Sequence, residues 1–173
     1  EILEDYEIIP MNEIGIDIDV KEDQDTFEGN AIKKAETIAK KLDGKMCLAD
    51  DSGIQIEYLN GFPGVNTKRW HNGTDRERNL AIIEKLKGVT KENRKVKFVT
   101  VMAISDGKNT IFATGVIDGY IAENPRGKNG FGFDEIFELE DGRTLAEISS
   151  EEKNIISARR RALELLKNKV WFN

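Results

Sequence analysis

Between residues 27 and 42 the apolar positions recur at helical spacing. Ala31, Ala35, Ile38, Ala39 and Leu42 fall on one face, and Asp25 and Glu28 stand where a variant capping box would. The spacing predicts a helix over 27–42. A short apolar run at 46–49 ends in two carboxylates, and 54–58 alternates Ile54, Ile56 and Tyr58 as a half-buried strand does. Thr74-Asp75-Arg76-Glu77 is a capping signal for a helix running through Leu80, Ile83 and Leu86. The β-rich runs 96–104 and 110–117 flank Asp106-Gly107, a hairpin turn, and a further strand pair is expected around 136–137 and 144–148. Ser149 and Glu152 cap a final helix over 150–168. Helices interspersed with strands, some of them in hairpins, predict an α/β fold: a twisted mixed β-sheet with flanking helices.

The final helix carries a sharper pattern. Its apolar face is Ile155, Ala158, Ala162, Leu165 and Leu166, and Lys153, Ser157, Arg160 and Glu164 form the opposite stripe. Arg160 is therefore expected to face water. Arg159, four residues from both Ile155 and Leu163, leans toward the protein body, where a cation needs a phosphate or carboxylate partner. Lys34 is placed similarly, three residues after Ala31 and four before Ile38, although an aliphatic stem that snorkels to water explains either position as well.

The 173-residue length suits one compact core, pinched into two lobes around a central cleft, and no linker, repeat or low-complexity tract marks a boundary; a single domain over 1–173 is expected. The single Cys47 cannot form an intrachain disulfide, and no apolar run is long enough to span a bilayer, so a soluble protein of a reducing, cytoplasmic compartment is expected, without a membrane. The net charge of -6 argues against a nucleic-acid partner, which requires a basic footprint. Charge is unevenly spread. Residues 1–30 carry eleven acids against Lys21 alone, while cations gather at Lys68, Arg69, Arg126, Lys128, Lys153, Arg159, Arg160 and Arg161.

Two segments concentrate chemistry. Asp50-Asp51-Ser52-Gly53 follows the apolar run at 46–49, where open α/β sheets present functional groups at strand ends. Neighbouring strand residues point to opposite faces, so one carboxylate is suited to metal while the other braces the turn; an ordinary Asp-Ser-Gly turn is the commoner meaning of the string. The second segment, PRGKNGFGFDEIF at 125–137, crowds glycines, cations, aromatics and an acid into one loop. Glycines permit close backbone approach, Phe131 and Phe133 can stack on a base, and Asp134 can accept hydrogen bonds from it. The same segment reads equally well as a Gly-rich turn with its phenylalanines in the core. It is neither a Walker A loop nor a dinucleotide fingerprint. His71, the only histidine, lies beside Trp70 without the neighbours of a catalytic triad and reads as a surface side chain.

Taken together, TFEGNAIKKA at 26–35, LADDSG at 48–53, LNGFPGV at 59–65, PRGKNGFGFDEIF at 125–137 and AEISSEEKNIISARRRAL at 146–163 resemble, in order and rough spacing, the inosine triphosphatase (non-canonical purine NTP, or dITP/XTP, pyrophosphatase) family. The resemblance covers nearly the whole chain. It implies Mg²⁺-dependent attack of water on a triphosphate, releasing pyrophosphate and a monophosphate, with preference for inosine and xanthosine triphosphates, and it implies a homodimer. By position, Asp51 matches the carboxylate that activates water and meets the metal, and Glu22 the second metal-associated acid. Ser52 matches a substrate contact; Phe131, Gly132, Phe133 and Asp134 match the base-binding stretch; Lys34, Lys68, Lys153 and Arg159 match the cations around phosphates and base.

Three departures from the family pattern stand out. The family opens with a strand and a TGNxxK-type loop that grips the triphosphate, and this sequence starts beyond it, so the domain is expected to be N-terminally truncated relative to the family. The family's Ser-His-Arg is Ser157-Ala158-Arg159 here, and its Tyr after PGV and Pro after the FG(F/Y/W)D string are Asn66 and Glu135. Two other readings stay open: a catalytically impaired nucleotide-binding or dimerising protein, and a related pyrophosphatase with another base preference.

Overall fold

The structure, a computed structural model, describes residues 2–43 and 45–169. In chain order its elements are α1 (Phe27–Ala39), β1 (Cys47–Ile56), β2 (Phe62–Pro63), α2 (Asp75–Lys85), β3 (Lys95–Ser105), β4 (Thr110–Ile121), β5 (Phe137–Glu138), α3 (Ser150–Ile156) and α4 (Ala158–Lys169). The strands form one five-stranded sheet in the order β2-β1-β3-β4-β5, giving an α/β fold. Both edge strands pair antiparallel, β2 on β1 with Gln55 opposite Pro63, and β5 on β4 with Tyr120 opposite Glu138. The chain divides into two compact units, 1–51 with 100–115 and 159–173, and 52–99 with 116–158, so that β1, β3 and β4 contribute residues to both.

The first unit is built on α1 and α4. Thr26, not Asp25, caps α1, its side chain accepting from the Gly29 N–H, and the helix buries Phe27, Asn30, Ala31, Ala35, Ile38 and Ala39. Within this unit α4 buries Ala162 and Leu166, one turn apart. Ala162 and Leu166 pack with Met102 and Ala113 from the strands, together with Leu48, Ile104 and Ile111. The hairpin between β3 and β4 closes as the sequence predicts. Gly107 has φ +89°, and the Asp106 carboxylate accepts from the Lys108 and Asn109 amides at 2.8 and 2.7 Å.

The second unit holds the larger core, where Ile54, Ile56, Ile82, Leu86, Ile136 and Phe137 are wholly buried. α2 begins with the full capping box expected of Thr74 and Glu77. Behind it lies a residue to which the sequence drew no attention. Arg94 is 4% exposed and spends its guanidinium on three backbone carbonyls, those of Leu86, Ile121 and Ala122, at 2.7–3.0 Å.

The structure corrects three expected elements. The strand expected at 144–148 is a turn, joined to β5 only by a bridge between Thr144 and Glu138. The two short strands anticipated on either side of DDSG are one strand, β1. The single helix over 150–168 is two, because Ser157 adopts φ −62°, ψ 147°, an extended conformation that ends α3. The break takes Ile155 off the α4 face and leaves it 66% exposed, and Leu165 is 49% exposed.

Candidate functional site

In the first unit the carboxylates of interest gather around α1. Its residues Asn30, Lys33 and Lys34 lie within one turn on the same side and hold the preceding segment, 21–24, by their tips. Asn30 accepts from the Gln24 N–H at 3.0 Å, and Lys33 donates to Lys21 O at 2.8 Å and to Asp23 at 2.6 Å. Lys34 Nζ donates to Glu22 Oε1 at 2.6 Å. The hydrogen bonds from Lys33 and then Gln24 bring the Asp23 carboxyl down to about 2. A carboxyl depressed in the folded state contributes stability that is present above the ordinary carboxylate range and is lost only as pH falls through about 2.

β1 lies opposite this strap. Asp51 is 8% exposed, and a carboxylate so buried requires donors. Asn30, itself 1% exposed, supplies one from Nδ2 to Oδ2 at 2.9 Å, and the Lys34 ammonium stands 3.8 Å from Oδ1. Glu22 and Asp51 thus share one cation. Asp50, the next residue along the strand, pairs instead with Arg159 at 2.8 Å. The Asp pair therefore divides its work as strand alternation predicts, but from the middle of β1 and not from a turn at its end. The two carboxylates are tolerated within this strand because each finds a partner from a helix.

In the second unit the Gly-rich loop is fastened from inside by Asp134, which is 2% exposed. Its Oδ2 accepts from the Phe131 N–H at 2.8 Å and from Lys153 Nζ in a short ion pair. Gly130 has φ +75°, and a Cβ there would stand 1.9 Å from Asp134 Oδ2, so only glycine fits. Phe131 projects from the loop, 72% exposed, with the Lys153 ammonium 4.7 Å from its ring centre. Phe133 is 7% exposed and belongs to the core, which corrects the expectation that both rings stack on a ligand. On the other side of the loop, α2 contributes Asp75, which accepts from the Gly132 N–H at 2.9 Å, and Asn79, which donates to Gly132 O at 2.9 Å. A pocket of about 350 Å³ lies there, lined by Arg76, Asn79, Lys128, Phe131, Gly132 and Glu135 among others.

With that geometry in place, comparison with known proteins is decisive. The Ham1 family model matches residues 1–169. The chain belongs to the Ham1 family. The relatives include a dITP/XTP pyrophosphatase of Clostridium perfringens, 44% identical over 98% of this chain and 89% of that protein, and one of Bacillus subtilis, 44% identical over 96% and 86%. The solved Ham1 protein of Staphylococcus aureus superposes with a TM-score of 0.88 at 39% identity, covering 97% of this chain and 88% of that one.

As a Ham1 family chain, it distributes the residues singled out from sequence in two groups. Glu22, Lys34 and Asp51 are brought together in the first unit, where Arg159 meets Asp50; Phe131, Asp134 and Lys153 are brought together in the second. Ser52 is half-buried in β1 and Lys68 is exposed on its loop. Arg159 does find the carboxylate its position demanded, but at 49% side-chain exposure it is less covered than Arg160, which at 28% pairs with Glu164; the break at Ser157 moves both off the expected helical register. Ala158, in place of the family histidine, is buried. His71 is half-buried against Trp70, with ring centres 5.2 Å apart. Asn30, Asp75 and Asn79 were missed. The available signal was an asparagine among apolar helix positions, which requires a tertiary partner to be stable there.

Among the described residues no cluster of three or more His, Cys, Asp or Glu is disposed to hold a metal. Two carboxylates are what Mg²⁺ takes from a protein when phosphate oxygens and water complete its shell. The Lys34 ammonium between Glu22 and Asp51 shows that this pair already accommodates a cation.

Proposed function

We propose that this chain hydrolyses non-canonical purine nucleoside triphosphates, those of inosine and xanthosine, to the monophosphate and pyrophosphate, with Mg²⁺. The observation that carries the reading is the buried Asp51, braced by Asn30 and joined to Glu22 through Lys34. Glu22 and Asp51 are the residues suited to hold the metal, and Mg²⁺ when bound supplies positive charge against the phosphate oxygens. Asp51, held in place through Oδ2 by Asn30, is the carboxylate suited to orient the attacking water and take its proton. Lys34 and Arg159 offset negative charge on the phosphates, which is the main demand of phosphoryl transfer. The bond broken joins the α-phosphorus to the oxygen bridging it to the β-phosphate.

The base reading rests on Phe131 and Lys153. An exposed ring offers a stacking surface worth about 1–3 kcal/mol per base. The ammonium over that ring is a donor for the carbonyl that hypoxanthine and xanthine, and guanine with them, carry where adenine has an amino group. Ser52 and Lys68 are assigned to substrate as well. Asp134, with Lys153 and the Phe131 amide on it, sets the shape of the loop that meets the base. Among the described residues no helix is long and apolar enough to cross a membrane. We place the chain in the cytoplasm, as a homodimer acting on free nucleotides.

A panel of inosine, xanthosine, guanosine and adenosine triphosphates, assayed for pyrophosphate with Mg²⁺, tests the proposal. The first two are expected to be cleaved fastest. A melting shift with nucleotide but no pyrophosphate from any of the four would mark a binding protein instead, and equal rates on all four would remove the base assignment.

A further inference from the structure

The loop that presents Phe131 has an unusual support. Gly130 and Gly132 flank the exposed ring with φ +75° and +63°, so the backbone on both sides sits where only glycine is at ease and where glycine has most freedom to leave. Packing does not hold it from the α2 side, because the pocket of about 350 Å³ opens there. What α2 supplies is a pair of hydrogen bonds to one peptide residue: Asp75 takes the N–H of Gly132 and Asn79 gives to its carbonyl. A third tie, Arg76 to Glu135 at 3.0 Å, joins the same two segments.

Asn79 is informative because it does not profit from its position. It is 1% exposed, its Nδ2 is satisfied by Gly132, and its Oδ1 has no hydrogen-bond partner among the described residues. A buried amide with an orphan acceptor is costly, and a leucine, of the same branched shape, would serve the core without that cost. Stability thus gives no reason for an amide at 79. Asp75 is the complementary half. Hydrogen bonds from Arg78 and, more weakly, from the Gly132 amide hold its carboxyl below the usual carboxylate range, so it stays an acceptor at neutral pH.

We propose that Asn79 and Asp75 are positioning residues for purine recognition: α2 clamps Gly132 by both of its backbone hydrogen-bonding groups, and this fixes the Phe131 ring where a purine stacks. The inference rests on the base assignment made above, but the clamp is measurable without nucleotide. With the loop released into the pocket, the base loses its platform while the phosphate chemistry on Glu22 and Asp51 keeps its residues. KM should therefore move more than kcat.

The test compares the intact protein with Asn79→Leu, Asp75→Ala and Asp75→Asn, measuring KM and kcat for inosine triphosphate, thermal melting, and amide exchange of segment 128–135 without nucleotide. Asn79→Leu and Asp75→Ala should raise KM about tenfold, the effect of roughly one lost hydrogen bond, with kcat within about threefold. Exchange in 128–135 should accelerate while melting holds, and Asp75→Asn, which keeps an acceptor for the Gly132 N–H, should restore both readings. Unchanged KM and unchanged exchange in Asn79→Leu and Asp75→Ala overturn the proposal, as does a fall in kcat at constant KM. If Asn79→Leu does not fold, the two Asp75 variants decide alone, since that side chain is half exposed. Inactivity of the unsubstituted protein on every triphosphate would instead defeat the functional reading, leaving exchange to judge the clamp.

Discussion

Asn30 has two roles that are hard to separate by eye. Its oxygen holds the Gln24 amide and its nitrogen holds Asp51, so one buried side chain sets both the strap that carries Glu22 and the orientation of the acid on β1. Replacing it by alanine removes one donor from a carboxylate that is 8% exposed. The variant is expected to lose about 1–3 kcal/mol of stability by urea unfolding, and turnover should fall a further ~10- to 100-fold, as when outer partners of metal-holding side chains are removed. Wild-type turnover in Asn30→Ala would show that Asp51 needs no brace. Burial pushes the Cys47 thiol up.

At the scale of elements, Arg94 shows how much structure a single cation can hold. By bonding Leu86 O it closes the end of α2, and by bonding Ile121 O and Ala122 O it secures the end of β4. Arg94→Ala removes a donor from each of three carbonyls, of which Leu86 O keeps the Val89 N–H, and should destabilise the protein by about 2 kcal/mol or more. Arg94→Lys should recover only part of that, because an ammonium cannot reproduce the fork. A urea midpoint within error of wild type for Arg94→Ala would contradict the assignment. The sequence carried α2 with its capping box, and β3 and β4 about Asp106-Gly107, because each is written in local chemistry: a side chain that meets its own backbone, or an alternation of faces. It did not carry β1 or the division of the last helix. In β1, Asp50, Asp51 and Ser52 interrupt the apolar pattern, and the strand persists because Asn30, Lys34 and Arg159 answer the carboxylates from far along the chain. At Ser157 the helical period continues in the sequence while the backbone does not. The site was legible in the same measure. Asp51, Lys34 and Glu22 could be named and are found together, whereas Asn30, Asp75 and Asn79 work through contacts that only the folded chain makes.

For the whole molecule, the proposed function divides two tasks between two groups of residues: charge and water at Glu22, Lys34 and Asp51, and the base at Phe131, Asp134 and Lys153. Family membership, with relatives matched over more than four-fifths of their length, gives the assignment its context. The most direct test is product analysis of inosine triphosphate incubated with Mg²⁺ and either the unsubstituted chain or Asp51→Asn. The unsubstituted chain should yield inosine monophosphate and pyrophosphate in equal amounts, and Asp51→Asn should fall to background with its melting temperature retained. Inosine diphosphate with orthophosphate, or undiminished turnover by Asp51→Asn, would contradict the account.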